Sequence, residues 1–333
     1  MVMVSSRELI DEARDAVRSY LSGDAFGDAR ARPRTVEGGA RRCDGGVGIG
    51  GARQGDVADR QLPRERCVQV VVRALEAGVN VVTPIGYVFP RPDARTAEID
   101  AAAKRGGATL HGTGIHPGGI TERFPLTFSA LCRNIRHVRM EEFSDIRNYA
   151  TASVVREVML FGKPPEVAAQ SPMLKVLANG FLQSVDMVAH ELGWTLDDKK
   201  RTRHEMSVAT RDIDSPVGII EAGTVAAQRF TWEGTVGGEP VITVRTNWMM
   251  DDGHLADGWT LGEQRFEVEL DAEPPLAVTF HGLHPPVLGV NTEVGLTAPA
   301  MHCVNAIPYV CAAEPGIATY LDLPLIAGRA ATA

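Results

Sequence analysis

The stretch "CVQVVVRALEAGVNVV", residues 67–82, contains a helix and a strand in direct succession. Its first part has apolar residues at helical spacing, and Gly78 is placed to end that helix. The apolar run at 79–82 is typical of a buried strand. This stretch therefore predicts one αβ step.

The following segment repeats the step. "DARTAEIDAAAKRGGATLHGTG", residues 93–114, predicts an alanine-rich helix, a stop at Gly106 and Gly107, and a strand at 108–111. Strands separated by single helices pair in parallel through right-handed crossovers. Ligands of such sheets bind beyond the carboxyl ends of the strands, where residues 83–90 and 112–119 lie.

The second of these segments, "GTGIHPGG", is rich in glycine and leads into a helical pattern. So many glycines predict that something approaches this backbone closely. Thr121 fits the N-cap of the helix, and free amides at a helix start favour anionic groups. Apolar residues at helical spacing follow: Phe124, Phe128, Leu131 and Ile135.

The rest of the chain changes character. A strand-like run at 137–143 and a long helical pattern at 171–194 precede several strands between residues 204 and 290. This part fits a second domain with a mostly antiparallel sheet. The tail from residue 298 returns to helix-forming residues.

Arg, Gly, Asp and Ala dominate residues 27–60, which contain no apolar strand and so can contribute little to a core. They hold a GxGxxG pattern at Gly46, Gly48 and Gly51, but neither an apolar strand before it nor an apolar helix after it. We therefore interpret the pattern as a flexible loop.

Composition limits the function classes. The chain has 333 residues, enough for two domains, and a net charge of −8 without a lysine or arginine run. Proteins that bind nucleic acids or anionic membranes usually have a clustered basic face. We therefore expect a small-molecule substrate and neither of those partners. No apolar run approaches the roughly 20 residues that cross a bilayer, and the first residues do not resemble a signal peptide. We expect a cytoplasmic protein.

Several segments together resemble one oxidoreductase family: "VNVVTP" (79–84), "HGTGIHPGGITERFPL" (111–126), the strand-rich middle and "NAIPYVCAAEPGIATYLDLPL" (305–325). From about residue 67 to its end, the chain resembles the dihydrodipicolinate reductase-like NAD(P)-dependent oxidoreductases. The resemblance is to the branch of 2,4-diaminopentanoate dehydrogenase and native amine dehydrogenases. It implies NADP or NAD as cofactor, hydride transfer to an imine or carbonyl carbon of a small molecule, and a homodimer.

The expected fold class is α/β. It comprises a Rossmann-like parallel sheet, atypical or incomplete in its N-terminal part, and a second α+β domain for substrate and dimerisation. The expected divisions are 1–66 (an atypical segment that could be disordered), 67–150 (Rossmann-like, dinucleotide-binding), 151–300 (α+β) and 301–333 (a helical return to the Rossmann-like part).

Three features differ from the family's pattern. The first 66 residues show no succession of strand, glycine-rich turn and helix, and no carboxylate follows the "VVT" strand, where "PIGYVFP" stands. The histidine pair and lysine of true dihydrodipicolinate reductases are also missing from "HGTGIHPGG". A second function therefore stays open: a non-catalytic relative that keeps the fold and dimer but has lost cofactor binding.

The cofactor-binding candidates are Thr83, Gly112, Thr113, Gly114 and Asn305. The glycines would let the backbone approach a nicotinamide, and the Thr113 hydroxyl could donate or accept a hydrogen bond; a tight strand-to-helix turn is the structural alternative. The resemblance implies that Asn305 leans toward the nicotinamide carboxamide, with helix capping as the alternative.

The catalytic candidates are His116, Glu122 and Tyr87. An unperturbed imidazole titrates at about pH 6.5, so His116 could donate a proton or orient the substrate; a hydrogen-bonded surface histidine is the alternative. Glu122 could orient His116 or act as general base, while the helix dipole explains a glutamate at a helix start equally well. Tyr87 stands near the family's carboxylate position and could donate a hydrogen bond, or simply pack.

No metal site is expected. His281 and His284 have HxxH spacing but run into two prolines, and no acidic or thiol ligand follows at a useful interval. The five cysteines are scattered without a CxxC pair, so they predict neither a zinc site nor a disulfide framework.

Overall fold

A computed structural model describes residues 2–4, 48–49, 64–84, 86–147, 149, 151–250, 253–281, 294–328 and 330. Over these residues the fold class is α/β, which confirms the prediction. The strands are β1 Val2–Val4, β2 Gly48–Ile49, β3 Asn80–Thr83, β4 Thr109–Gly112, β5 Arg133–Asp145, β6 Arg201–Val208, β7 Val225–Val236, β8 Glu239–Met249, β9 Arg265–Glu273, β10 Leu276–Phe280 and β11 Gly316–Ala318. The α-helices are α1 Arg64–Glu76, α2 Ala94–Gly106, α3 Ile120–Ser129, α4 Pro165–Ala169, α5 Met173–Leu192 and α6 Val294–Ala312.

The chain forms two compact units, Met1–Ile115 with Leu296–Ala333 and His116–Gly295. The sequence placed the divisions after residues 150 and 300, whereas the units divide after 115 and 295. The first boundary falls at 115 and not at 150 because β5, residues 133–145, lies in the sheet of the second unit. The loop at 112–119 therefore contains the end of one unit and the start of the next.

The first unit contains a sheet with the strand order β11-β4-β3-β1-β2. β3, β4 and β11 pair in parallel, as the repeated αβ step predicts. β11 was not predicted, because "GIA" is too short to show a period. On the other side of β3 lies β1, which is antiparallel to it. A dinucleotide-binding sheet has a parallel strand at that place.

The ends of α2 show how local sequence sets the first unit. The Asp93 carboxylate accepts from the Thr96 amide at 2.7 Å, which caps the start of the helix. Gly107 adopts a left-handed conformation with φ 66°, which ends it. Ile99, Leu75 and Leu110 are fully buried and form the core between these elements and the sheet. The predicted helix stop is thereby confirmed.

The second unit contains a six-stranded sheet with the order β10-β9-β5-β8-β7-β6. Neighbouring strands are antiparallel except β5 and β8, which run parallel. α5 packs against β7 and β8, and the core includes Phe181 stacked on Trp232 at a ring distance of 4.0 Å. The mostly antiparallel second sheet and the long helix are confirmed.

Two predictions about the segment after the loop were wrong. α3 ends at Ser129, and Leu131 is exposed in the following turn while Ile135 lies in β5. The amides of Leu131 and Cys132 close that turn by donating to the carbonyls of Phe128 and Ser129. Apolar spacing continued past the turn, so it could not reveal where the helix ends. The N-cap of α3 is Gly119 rather than Thr121.

Some predictions fall on other parts of the chain. Of the glycines in the GxGxxG pattern, Gly46 and Gly51 lie outside the described residues, and Gly48 belongs to β2. Within the described ranges, none of the helices combines the length and apolarity needed to cross a bilayer.

Burial of Leu270 in β9 predicts a large loss of stability on truncation. Leu270→Ala leaves a cavity in the core of the second unit, so we expect the free energy of unfolding to fall by about 2–5 kcal/mol. The matched control is Leu131→Ala, since Leu131 is 67% exposed; it should change stability by no more than about 0.5 kcal/mol. Urea denaturation measures both, and equal losses would contradict the described core.

Candidate functional site

Gly112 ends β4 and lies against the chain's own backbone. A Cβ atom at this position would stand 2.2 Å from the carbonyl carbon of Tyr87 and 2.4 Å from the carbonyl oxygen of Gly86. Real Cβ atoms do not approach so closely, so glycine is required here by the loop that follows β3. The close approach predicted for this glycine is accounted for within the chain, and a ligand is not needed to explain it.

Thr113 follows Gly112 and joins a polar cluster in the first unit. Its hydroxyl bonds His302 Nδ1 at 3.0 Å and makes a short hydrogen bond with the Tyr320 hydroxyl. His302 Nδ1 also lies 2.6 Å from the Gly114 carbonyl oxygen. The Thr113 amide donates to the Thr83 carbonyl at 2.9 Å. Thr83, Thr113 and Gly114 are thus brought together at the carboxyl end of two parallel strands.

Tyr87 adopts a left-handed conformation with φ 59°, which is uncommon for a bulky residue. Its half-buried side chain packs against the apolar cluster around Leu75 and Leu110. Its backbone forms the surface that Gly112 touches. The packing alternative therefore has direct structural support, and the predicted hydrogen-bond donation stays a prediction.

Asn305 lies on α6 and lines a cavity of about 860 Å³ in the first unit. The cavity lining also includes Asp100, Tyr309, Asp322 and Gly328, whereas Thr113 is not part of it. Asn305 lies three residues after His302 on the same helix, which places the two side chains on neighbouring positions of one face. Its proposed contact with a carboxamide stays a prediction from resemblance.

His116 opens the second unit and its side chain is only 3% exposed. Nδ1 lies 2.7 Å from the Thr121 hydroxyl, and the ring packs edge-on against Phe181 at 5.0 Å. Burial lowers the pKa of His116 to about 3, partly opposed by the Arg245 backbone. The ring is therefore neutral at neutral pH. The expectation that it titrates near pH 6.5 is wrong for the folded chain, since it assumed solvent around the ring.

Glu122 is fully buried in the first turn of α3. Its carboxyl oxygens accept from the Gly118 amide at 3.0 Å, and the Ser184 hydroxyl of α5 donates a short hydrogen bond to it. Burial raises the pKa of Glu122 to about 7, against the lowering effect of these donors. Glu122 thus ties the loop to α5, and the helix dipole alone does not explain its position.

Glu142 on β5 faces His116. Oε2 of Glu142 lies 3.8 Å from Nε2 of His116, and the Glu142 side chain is 12% exposed. The Ser144 hydroxyl donates to Oε1 at 2.6 Å, and Trp248 also hydrogen-bonds this carboxyl group. Burial raises the pKa of Glu142 to about 7. A carboxyl group that titrates near neutral pH therefore stands beside a neutral imidazole.

Sequence reasoning missed four residues of these clusters: Glu142, Ser184, His302 and Tyr320. Glu142 belongs to the alternating "HVRMEEF" strand, and its neighbour Glu141 points to the other face, so alternation could have separated the two. Tyr320 and His302 lie far from Thr113 in the sequence, and no spacing rule connects them. Only folding of the tail onto β4 brings them together.

The donors at the end of β4 fit one end of a nicotinamide cofactor. A carboxamide offers one acceptor and two N–H donors, while the side chains of Thr113, His302 and Tyr320 can each donate or accept. They could therefore hold a carboxamide. A pyrophosphate requires main-chain amides at a glycine-rich turn into a helix. The chain that follows β1, residues 5–47, lies outside the described residues.

In the part of the chain that the structure describes, no three His, Cys, Asp or Glu side chains are grouped to hold a metal ion. His281 is half exposed and lies near Glu263, at 3.9 Å. Its predicted companion His284 lies outside the described residues.

Comparisons with known proteins identify similar chains. Residues 120–332, more than half of the chain, match the family described as 2,4-diaminopentanoate dehydrogenase C-terminal domain. An amine dehydrogenase of Streptomyces virginiae is 29% identical over 77% of this chain and 72% of its own length. A 2,4-diaminopentanoate dehydrogenase of Acetoanaerobium sticklandii is 29% identical over 75% of this chain and 68% of its own.

A solved structure is similar in fold. The amine dehydrogenase from Mycobacterium smegmatis matches with a TM-score of 0.62 and 22% identity. The match covers 80% of this chain and 74% of that one. It supports the α/β fold.

Contact of Gly112 with the Tyr87 backbone makes this position intolerant of a side chain. Gly112→Ala forces backbone to move, so we expect the free energy of unfolding to fall by about 1–3 kcal/mol. Gly180→Ala is the control, because a Cβ there meets Pro117 Cγ at 3.6 Å, an ordinary contact, inside a helix. It should stabilise by up to about 1 kcal/mol. Chemical denaturation measures both variants. If Gly112→Ala left the free energy of unfolding unchanged, the close approach of Gly112 to the Tyr87 backbone would be refuted.

Burial of Glu122 predicts a pH-dependent contribution to stability. The folded-state pKa, about 7, lies above the ordinary value of 4.5, so the folded chain binds this proton more tightly than the unfolded chain. The contribution is full below pH 4.5 and is lost as pH rises to about 7. Relative to Glu122→Gln, wild-type stability should fall with pH between 5 and 7 by up to about 1.4 kcal/mol per pH unit.

The pH-dependent difference is measured by urea denaturation of both proteins at each pH. Other buried groups titrate in this range, but the subtraction removes those that both proteins share. Glu166→Gln, a substitution at an exposed glutamate of α4, controls for the chemical change itself. A difference between wild type and Glu122→Gln that stays constant from pH 5 to 7.5 would be inconsistent with a buried, proton-binding carboxyl group.

Proposed function

The chain belongs to the 2,4-diaminopentanoate dehydrogenase C-terminal domain family, and from this we propose that it is an oxidoreductase acting on amines. Its partner in the reaction is a nicotinamide cofactor, NADP or NAD. Hydride passes between this cofactor and the carbon of a small amine, imine or carbonyl compound. We further propose that the protein is cytoplasmic and acts as a homodimer.

The observation that carries this proposal is the hydrogen-bonded cluster of Thr113, His302 and Tyr320. It lies at the carboxyl end of β4, beside the end of β3, which is where ligands of parallel sheets bind. A nicotinamide bound there would accept or donate the hydride. Thr113 and its partners would orient the carboxamide, and Thr83, Gly112 and Gly114 would shape the backbone around it.

We assign roles to the remaining candidates on the same basis. The neutral ring of His116 orients the substrate as a hydrogen-bond partner and does not store a proton. Glu122 fixes the loop at 116–119 by bonding Gly118 and Ser184. Tyr87 and Asn305 remain candidates for substrate and carboxamide hydrogen bonds, respectively.

A non-catalytic relative is the second candidate function, and one observation favours it. The strand beside β3 is β1, and it runs antiparallel to β3. The pyrophosphate site of a dinucleotide fold depends on a parallel strand at this place. A chain lacking that strand would keep the fold without binding the cofactor.

Binding of NADPH separates the two functions. We expect a saturable change in NADPH fluorescence on titration with the full chain. Thr113→Val keeps the shape but removes the hydroxyl, so it should weaken NADPH binding about tenfold, equivalent to about 1.4 kcal/mol. Thr127→Val, at an exposed position of α3, is the control and should bind as wild type. Lack of any saturable change with wild type would favour the non-catalytic relative.

A further inference from the structure

The cavity of about 860 Å³ in the first unit runs along the strand β11. The whole strand, Gly316–Ala318, lines it, and β11 is the last strand of its sheet, with β4 as its partner among the described strands. Such a volume falls in the range of small-molecule sites, about 300–1,000 Å³. Thr113, His302 and Tyr320 do not belong to its described lining, so the proposed carboxamide contacts do not account for it.

The outer edge of β11 offers a ligand a hydrogen-bond acceptor. The Gly316 amide donates to the Ala108 carbonyl, so the polar backbone groups of Gly316 face β4. Those of the next residue, Ile317, face the other way, toward the open edge of the sheet. The Ile317 amide donates to Oδ1 of Asp100 at 3.2 Å. Of its two backbone groups, the carbonyl oxygen is therefore the one that faces a ligand, and it can only accept.

A carboxylate lies at each end of this edge. Glu314 comes two residues before β11 and Asp322 four residues after it, and both line the cavity. Oδ2 of Asp322 accepts from the amide and the hydroxyl of Thr319, each at 2.8 Å, which holds this carboxylate beside the carboxyl end of the strand. Over the part of the chain that the structure describes, neither Glu314 nor Asp322 forms an ion pair.

The charge of the cavity wall is negative. Lys104 is the cation among the described lining residues, and its Nζ is paired with Oδ2 of Asp100 at 2.6 Å. Glu314 and Asp322 are the carboxylates in excess. Between the charged groups the wall is mostly apolar, with Pro308, Tyr309, Ala312, Pro315, Leu323 and Pro324. A complementary ligand therefore carries positive charge at two places and an apolar stem between them.

We propose that this cavity binds a linear alkyl diammonium chain along β11, with one ammonium group at Glu314 and the other at Asp322. Each ammonium group has three donors and no acceptor, which suits the two carboxylates and the Ile317 carbonyl. The strand with its flanking residues, 315–319, spans about 13 Å at a rise of about 3.3 Å per residue, so a long aliphatic chain must join the two nitrogens. The inference does not depend on the proposed oxidoreductase function.

Calorimetric titration of the full chain with octane-1,8-diamine tests the inference, since both of its nitrogens are charged at about pH 7. We expect saturable binding that weakens as the salt concentration rises, because salt screens ion pairs near the surface. 8-Aminooctan-1-ol has a hydroxyl in place of one ammonium group and should bind at least about threefold more weakly. Propane-1,3-diamine keeps both charges but is too short to reach both carboxylates, so it should be weaker by a similar factor.

Substitutions of opposite charge effect identify the cavity as the site. Glu314→Gln and Asp322→Asn should each weaken binding of octane-1,8-diamine about threefold, because each removes one partner of an ammonium group. Lys104→Met removes the competing ammonium group and leaves the Asp100 carboxylate for the ligand, so it should strengthen binding about threefold. The control is Glu98→Gln, at an exposed position of α2 that does not line the cavity, and it should bind as wild type does.

If Asp322→Asn does not fold, Glu314→Gln and Lys104→Met decide, since both side chains are exposed. Opposite effects of these two variants support the inference. Undetectable binding of octane-1,8-diamine to wild type overturns it, and so does equal affinity for octane-1,8-diamine and 8-aminooctan-1-ol. Binding that neither Glu314→Gln nor Lys104→Met changes also overturns it, because the diamine then binds elsewhere on the protein. NADPH takes no part in this titration, so its outcome is independent of the proposed oxidoreductase function.

Discussion

The burial of one carboxyl group, that of Glu122, fixes the geometry of the candidate site in the second unit. Its oxygens accept from the Gly118 amide and from the Ser184 hydroxyl, so the loop is tied to α3 and α5 at once. Taking a carboxyl out of water is costly unless donors replace the solvent. The two donors to the Glu122 carboxyl group come from separate parts of the chain, the loop and α5. The loop therefore follows a path that brings the Gly118 amide to this carboxyl group. His116, two residues before Gly118, then faces Glu142.

Backbone packing imposes a similar constraint on the first unit. Gly112 touches the backbone of the loop after β3, and this contact fixes how closely the two strand ends approach. Gly114 and Gly118 have φ values of 146° and 104°, which glycine adopts readily. The concentration of glycine in "GTGIHPGG" thus follows largely from the path of the chain itself. What a ligand would meet is the adjoining set of side chains at Thr113, His302 and Tyr320.

The polar clusters of the two units differ in chemical character. The first offers groups that can both donate and accept, which suits a neutral carboxamide. The second offers a carboxyl group with a raised pKa beside a neutral histidine, because both are taken out of water. Burial reverses what the ordinary pKa values lead one to expect. It lowers the pKa of His116 to about 3, and it raises the pKa values of Glu122 and Glu142 to about 7.

The sequence by itself determined the αβ steps, the parallel pairing of β3 and β4, the mostly antiparallel second sheet and the resemblance to amine dehydrogenases. These depend on periodicity, on glycine stops such as Gly107 and on short motifs, all of which are local. Only the tertiary structure decided which side chains meet. Glu142 and His116, or Thr113 and Tyr320, are separated by intervening elements, and their contact depends on strand pairing and burial. The pKa values follow from that same burial, because desolvation is a property of the folded surroundings and not of the residue type.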